Sequence, residues 1–360
     1  VNSSLAKEAD IKRQRYPLLD LVRYIAALLV ATLHWSLESG GAYSSVYKIP
    51  ILGNLIRNGA IGVPIFFIIS GYVILETAWR KNAFDFIVAR FTRLFPGLLI
   101  CMALVLVVGS KYVAHYATPF KSYVNSIFLT YTLTHTAPLA SQLWTLVVEV
   151  KFYLAIALLL LILDKRFRSV PLLVAIITCW QLVMVIAPET LTKHLSLGTA
   201  DYLFGLGVSI SLFLKSRGNR RNQYSTGILV IYFSYYVLKD YTSDRTLFIF
   251  LTLTIVAIGV SSISTFLKLP SRLFELLGLA SYLIYLLHEQ LGIAFINEMR
   301  IHVTGNVYLL FLSDIIFLTI LSILISTLLE KRLQRLIKRW AARIPRKFPT
   351  SVQQLRPVRK

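Results

Sequence analysis

The sequence predicts an all-α, polytopic integral membrane protein with about ten transmembrane helices and both termini cytoplasmic. Three observations predict it. Hydrophobic residues make up 56% of the 360-residue chain and its mean hydropathy is +0.67, above the roughly 45–50% apolar share of soluble domains, so the excess has to face lipid. Apolar stretches long enough to cross about 30 Å of hydrocarbon recur from end to end. The cations fall on alternate sides of those stretches.

The expected spans run in order 18–38, 59–78, 94–114, 144–163, 170–188, 199–214, 225–238, 246–266, 276–297 and 306–329. The first contains Arg23 and His34, which suits a retained helix rather than the uninterrupted core of a cleavable signal. In the second, Gly62 and Pro64 are expected to break the helix where a cavity forms. Segment 124–135 is apolar but too short to cross, and reads as a re-entrant or interfacial piece. Residues 1–329 thus form one membrane domain, followed by a basic tail over 330–360.

Of the 38 Lys and Arg, 28 lie in one set of alternate segments, including eleven in the tail, and 8 lie in the other. The remaining two, Arg23 and Lys151, fall inside spans. The positive-inside rule puts the richer set, and both termini, in the cytoplasm. The net charge of +21 is therefore topological, and no nucleic-acid partner is expected. In the tail, Leu333, Leu336, Ile337 and Trp340 recur at i, i+3, i+4 and i+7 among Lys and Arg. That is the pattern of an amphipathic helix on anionic lipid, against the plainer reading of a solvated basic tail. Cys101 and Cys179 sit in apolar runs and offer neither a disulfide framework nor a metal cluster.

Ionisable side chains inside a bilayer cost about 3 kcal/mol or more each, which makes them functional candidates. Arg23 and His34 are eleven residues apart, so on a helix they lie within about 20° of one face and about 16 Å apart along the axis. An Arg alone could snorkel to the headgroups, and a lone His is usually a satisfied polar group. Sharing one face favours function.

Five blocks in chain order extend this. They are LDLVRYIAALLVATLH with Arg23 and His34, GVPIFFIISGYVI (62–74), FDFIVARFTRLFP (84–96), LWTLVVEVKFYL (143–154) and SYLIYLLH (281–288). Together they resemble the signature of the membrane acyltransferase-3 family, over residues 18 to 288. The stretch DYLFGLG, with Asp201 and Gly205, is similar to a further family piece but has Gly198 and Thr199 where a cation is often seen. The resemblance implies a ten-helix core that acylates carbohydrates or related acceptors, commonly with acetyl-CoA as donor and without a metal.

The residues fit that chemistry. Arg90 and Arg93, at i and i+3 in the loop before the third span, can grip phosphates with two guanidinium forks. They are expected, with Arg23, to bind coenzyme A, although an Arg pair at a membrane boundary can be a topological stop. His34 is the expected proton acceptor for an attacking hydroxyl. Glu149 is the second catalytic candidate, orienting His34 or binding sugar hydroxyls, with Lys151 able instead to neutralise it. Trp144, Ser70, Tyr282 and His288 are expected to bind substrate or line the cavity; Ser70 and Gly71 also suit close helix packing. His115, His135, His194 and His302 fall in outer loops without metal-ligand spacing.

The expected reaction moves an acetyl group from cytoplasmic acetyl-CoA to a surface polysaccharide or lipid-linked glycan, such as lipopolysaccharide O-antigen, in a bacterial inner membrane. Outer loops 39–58 and 115–143 would recognise the acceptor. A transporter or flippase for a lipid-linked sugar is the competing reading, because Arg and His on one intramembrane face also suit a substrate pathway. No inverted repeat of the transporter kind is evident in the sequence.

Overall fold

The computed structural model describes residues 16–38, 46–112, 120–188, 197–241, 254–255, 258, 271–302 and 306–344. Among these, every regular element is helical. Most of the expected span 246–266, the histidines His115 and His194, parts of the loops 39–58 and 115–143, and the tail after 344 lie outside the described residues.

The chain begins with α1 (Pro17–Glu38). A short helix α2 (Pro50–Arg57) and a 3₁₀ turn (Gly59–Ile61) lead into α3 (Gly62–Ala78). Gly62 and Pro64 therefore begin a helix rather than break one. A proline in the first turn costs nothing, because the amide it removes has no intrahelical acceptor.

The third expected span proves longer than its apolar core. Helix α4 runs from Ala83 to Tyr112, so Arg90 and Arg93 lie on a helix and not in a loop. Its start is set by Asn82, whose side-chain oxygen accepts from the Asp85 amide at 2.8 Å while its amide donates back to the Asp85 carboxylate at 3.0 Å, a reciprocal cap. Two short helices, α5 (Phe120–Ile127) and α6 (Tyr131–Thr134), replace the apolar segment 124–135.

Helices α7 (Leu143–Leu163), α8 (Val170–Ile186), α9 (Ala200–Lys215) and α10 (Arg220–Tyr241) follow. Next comes α11 (Ser271–Leu287), a π-helical turn (His288–Gly292) and α12 (Ile293–His302). The last run is α13 (Val307–Ile325), a second π-helical turn (Ser326–Glu330) and α14 (Lys331–Ala342).

Among the described residues, six helical runs are long and apolar enough to cross a membrane: Pro17–Leu37, Gly59–Ala78, Ala83–Val107, Leu143–Arg168, Arg272–His302 and Val307–Ala342. Helices α8, α9 and α10 coincide with three further expected spans, but α8 and α9 are only 17 and 16 residues long, and α10 opens on the polar run Arg220–Gln223.

The core packs α1 against α3 and α11, and α3 against α9. Small residues set the last of these. A Cβ on Gly71 would meet the Phe204 carbonyl oxygen at 2.4 Å, and one on Gly207 the Ile68 carbonyl oxygen at 2.1 Å. Without those glycines the backbones would have to separate, the usual device of helix pairs in lipid. Phe204 then stacks on Phe152 of α7 with centroids 4.2 Å apart. Asp201 accepts from the Leu197 amide at 3.0 Å, so it caps the start of α9.

Candidate functional site

A cavity of about 1400 Å³ lies between α1, α3, α4, α7, α11 and α14. Helical spacing brings its polar wall together. Thr145, Glu149 and Tyr153 face it from successive turns of α7, at i, i+4 and i+8. Ser70, Val73 and Thr77 do the same on α3, and Tyr282 and Tyr285 on α11.

All three expected anion-binding residues, Arg23, Arg90 and Arg93, line this cavity. Arg90 donates through Nη2 to the Thr77 hydroxyl and, at 3.4 Å, to the Val73 carbonyl. Its guanidinium lies over the rings of Phe86 and Tyr153, 5.6 and 5.7 Å from their centroids. Its Nε is buried without a partner, so one strong donor is unspent. Arg93 lies 5.5 Å from the Tyr282 centroid, and its Nη1 is 3.8 Å from a carboxylate oxygen of Glu330. The Tyr282 hydroxyl donates to the Leu94 carbonyl at 2.8 Å, which holds α11 to α4.

Glu149 accepts from the Tyr153 hydroxyl at 2.5 Å and from the Ser70 hydroxyl at 3.4 Å. Lys151 is exposed, about 200° around the helix from Glu149, and so does not serve as its counter-ion.

His34 and His288 sit next to the cavity rather than on its wall. Their ring centroids are 5.0 Å apart, and His288 is 5.8 Å from the ring of Tyr285, which does line the cavity. His288 is fully buried in the first π-helical turn. Its Nδ1 is 2.7 Å from the Tyr285 carbonyl, an acceptor, so Nδ1 carries the proton; Nε2 has no partner. Trp35 braces the turn by donating to the His288 carbonyl at 2.8 Å. The Tyr285 hydroxyl, 2.8 Å from that of Thr145, closes the chain of polar groups between the cavity and the histidine pair. Trp144 is half exposed on the first turn of α7 and packs on Phe67, off the cavity wall.

The mouth is cationic. Arg80 and Lys81 come from the α3–α4 turn, Lys165 and Arg168 from the turn after α7, and Lys338 from α14. Eight basic side chains on the lining face five carboxylates. One of these, Glu76, is already neutralised by Lys215 at 2.7 Å. Apolar side chains, among them Val63, Phe66, Phe67 and Leu146, form the remaining wall. The arrangement can hold a polyanion at its mouth and a shorter polar group at its inner end.

Sequence reasoning did not single out Tyr153, Thr145, Glu76 or Glu330. Of these Tyr153 carried a signal, standing four residues after Glu149. Glu330 had none, because its partner Arg93 is far away in the chain.

An acyltransferase domain of the acyltransferase-3 type matches residues 16–331. The chain is 29% identical over 221 residues to nodulation protein 10 of Rhizobium leguminosarum bv. viciae, covering 54% of this chain and 59% of that protein. It is 31% identical over 150 residues to an O-acetyl transferase of Shigella phage Sf6, covering 38% of this chain and 43% of the other. It is 26% identical over 228 residues to the peptidoglycan O-acetyltransferase of Listeria monocytogenes, covering 54% and 33%. The chain thus spans between a third and three-fifths of the length of these relatives. No solved structure matches.

Proposed function

The chain belongs to the acyltransferase-3 family, and on that premise we propose that it transfers an acetyl group from cytoplasmic acetyl-CoA to a hydroxyl of a cell-surface carbohydrate, lipopolysaccharide O-antigen being the acceptor class, in a bacterial inner membrane. The observation that carries the proposal is the cavity, which joins Arg23, Arg90 and Arg93 to Glu149 and Tyr285, with the His34–His288 pair alongside. The choice of acetyl follows the two relatives whose names specify O-acetyl transfer.

The proposed topology has ten spans and cytoplasmic termini, as the cation pattern expects. The cavity's basic mouth then faces the cytoplasm, because Arg80, Lys81, Lys165 and Arg168 belong to the cation-rich set of segments. Coenzyme A enters there. Its phosphates meet the guanidinium groups, as charge-assisted pairs that gain strength away from bulk water.

The reaction is direct transfer. The acceptor hydroxyl attacks the thioester carbonyl carbon, His34 takes the hydroxyl proton, and the carbon–sulfur bond breaks to release the coenzyme thiolate. His288 lies beside the His34 ring and orients it. Glu149, held by Tyr153 and Ser70, binds acceptor hydroxyls or stabilises the protonated imidazole.

Mass and NMR comparison of surface glycans from cells with and without the protein tests the acceptor. Loss of O-acetyl groups from the O-chain is the expected result. Unchanged O-acetylation of that polymer refutes the acceptor assignment.

A further inference from the structure

Helix α14 lies beyond the family match, which ends at its first residue. The sequence reads it only as a lipid-facing amphipathic helix, yet it forms part of the cavity wall. Gln334, Lys338, Ala341 and Ala342 line the cavity, at i, i+4, i+7 and i+8, which is one stripe of a helix. A different stripe, Leu336, Ile337 and Trp340, lines an apolar groove with Ile87, Val88 and Phe91 of α4. Packing on that side turns the polar stripe toward the cavity.

The root of α14 is tied to the donor arginines. Glu330, fully buried at the end of the second π-helical turn, accepts from the Ser326 hydroxyl at 3.0 Å and from the Gln334 amide at 2.8 Å, and pairs with Arg93 at 3.8 Å. A helix anchored at Arg93 therefore runs outward along the mouth. Lys338 stands eight residues beyond Glu330, about 12 Å along the axis.

We propose that α14 completes the donor site, with Lys338 taking the 3′-phosphate of coenzyme A while Arg90 and Arg93 hold its pyrophosphate; this rests on the acetyl-CoA reading above. Coenzyme A carries two separate phosphate clusters, with a ribose between them. The site offers two cationic stations at different depths: the paired guanidiniums beside Thr77 and Tyr282, and the Lys338 ammonium at the exposed rim. A compact, hydrated ammonium suits a terminal phosphate that keeps some of its water, whereas planar forks suit the enclosed pyrophosphate. Because Lys338 is exposed, its substitution leaves the packing of α14 on α4 intact.

The test is binding of acetyl-CoA and of acetyl-3′-dephospho-CoA to the purified full chain, in nanodiscs of neutral phosphatidylcholine, so that lipid phosphate carries no net negative charge. Wild type should prefer acetyl-CoA by roughly tenfold, the scale of one partly exposed charge-assisted contact. Lys338→Gln should bind the two thioesters alike, with the wild-type affinity for the dephospho form, and Lys338→Arg should restore the preference. A wild type that does not discriminate, or a Lys338→Gln protein that discriminates as wild type does, overturns the inference. The latter is also the outcome if Lys338 serves a lipid headgroup instead. Failure of wild type to bind either thioester removes the acetyl-CoA reading itself, and this inference with it.

Discussion

The rings of His34 and His288, on the first and eleventh helices, stand with centroids 5.0 Å apart. The pairing is built by the fold. Trp35, the neighbour of His34, donates to the His288 carbonyl at 2.8 Å, and a π-helical turn begins at His288. Such turns in otherwise α-helical segments frequently mark functional sites. With Nδ1 committed to the Tyr285 carbonyl, His288 presents an unpartnered Nε2. A fixed neighbour of this kind orients the imidazole that does the chemistry.

His288→Gln should therefore lower kcat by about tenfold or more while leaving the KM for acetyl-CoA within about twofold, since positioning acts on the transition state more than on donor binding. Initial rates with labelled acetyl-CoA measure both. An equal loss in donor affinity would point to a purely structural role.

Arg90→Ala combined with Arg93→Ala should weaken acetyl-CoA binding by at least about a hundredfold. Each charge-assisted phosphate contact is worth roughly 1.5–3 kcal/mol. Wild-type affinity should also fall with added salt, because ions screen the rim charges. Calorimetric titration of the double variant is the check, and an affinity matching wild type would disprove the anion site.

Tyr153→Phe removes one hydrogen bond to Glu149 and should cost about 0.5–1.5 kcal/mol in stability. Glu149→Gln keeps the shape and removes the charge, and it should lower transfer far more than Tyr153→Phe does. If the two variants retain similar activity, Glu149 acts only as a packing and hydrogen-bonding residue.

Gly207→Val places a side chain against the Ile68 carbonyl oxygen, where even a Cβ would sit 2.1 Å away. Overpacking of this kind costs about 1–3 kcal/mol or more. Thermal unfolding of the detergent-purified variant should show a lower midpoint than wild type. Gly218→Val, at a turn where a Cβ would meet nothing within 4 Å but φ is +89°, should cost about 1–3 kcal/mol from backbone strain alone.

Much of this was legible in the sequence, for definite reasons. Apolar runs set α1, α3, α7, α11 and α13, and the eleven-residue spacing put Arg23 and His34 on one face before any contact was known. The start of α4 was missed because FDFIVARFTRLFP carries too much charge to register as apolar, although Asn82 and Asp85 held the cap signal. The place of α14 was not legible. A stripe of cations on a helix reads the same whether it faces headgroups or a cavity, and only the Arg93–Glu330 contact settles its placement in the fold. The π-helical turn at His288 leaves no periodic trace, since one added residue shifts the helix phase only locally. Tyr153 was within reach, because i and i+4 on α7 places it over Glu149.

The most direct test of the central claim is acetyl transfer by the purified protein and its His34→Ala variant, from labelled acetyl-CoA to isolated O-chain glycan. The account predicts label on the glycan hydroxyls with wild type. It predicts a loss of roughly 100- to 10,000-fold with His34→Ala, in a protein that stays folded and binds acetyl-CoA as wild type does. Transfer at the wild-type rate by the His34→Ala protein would contradict it.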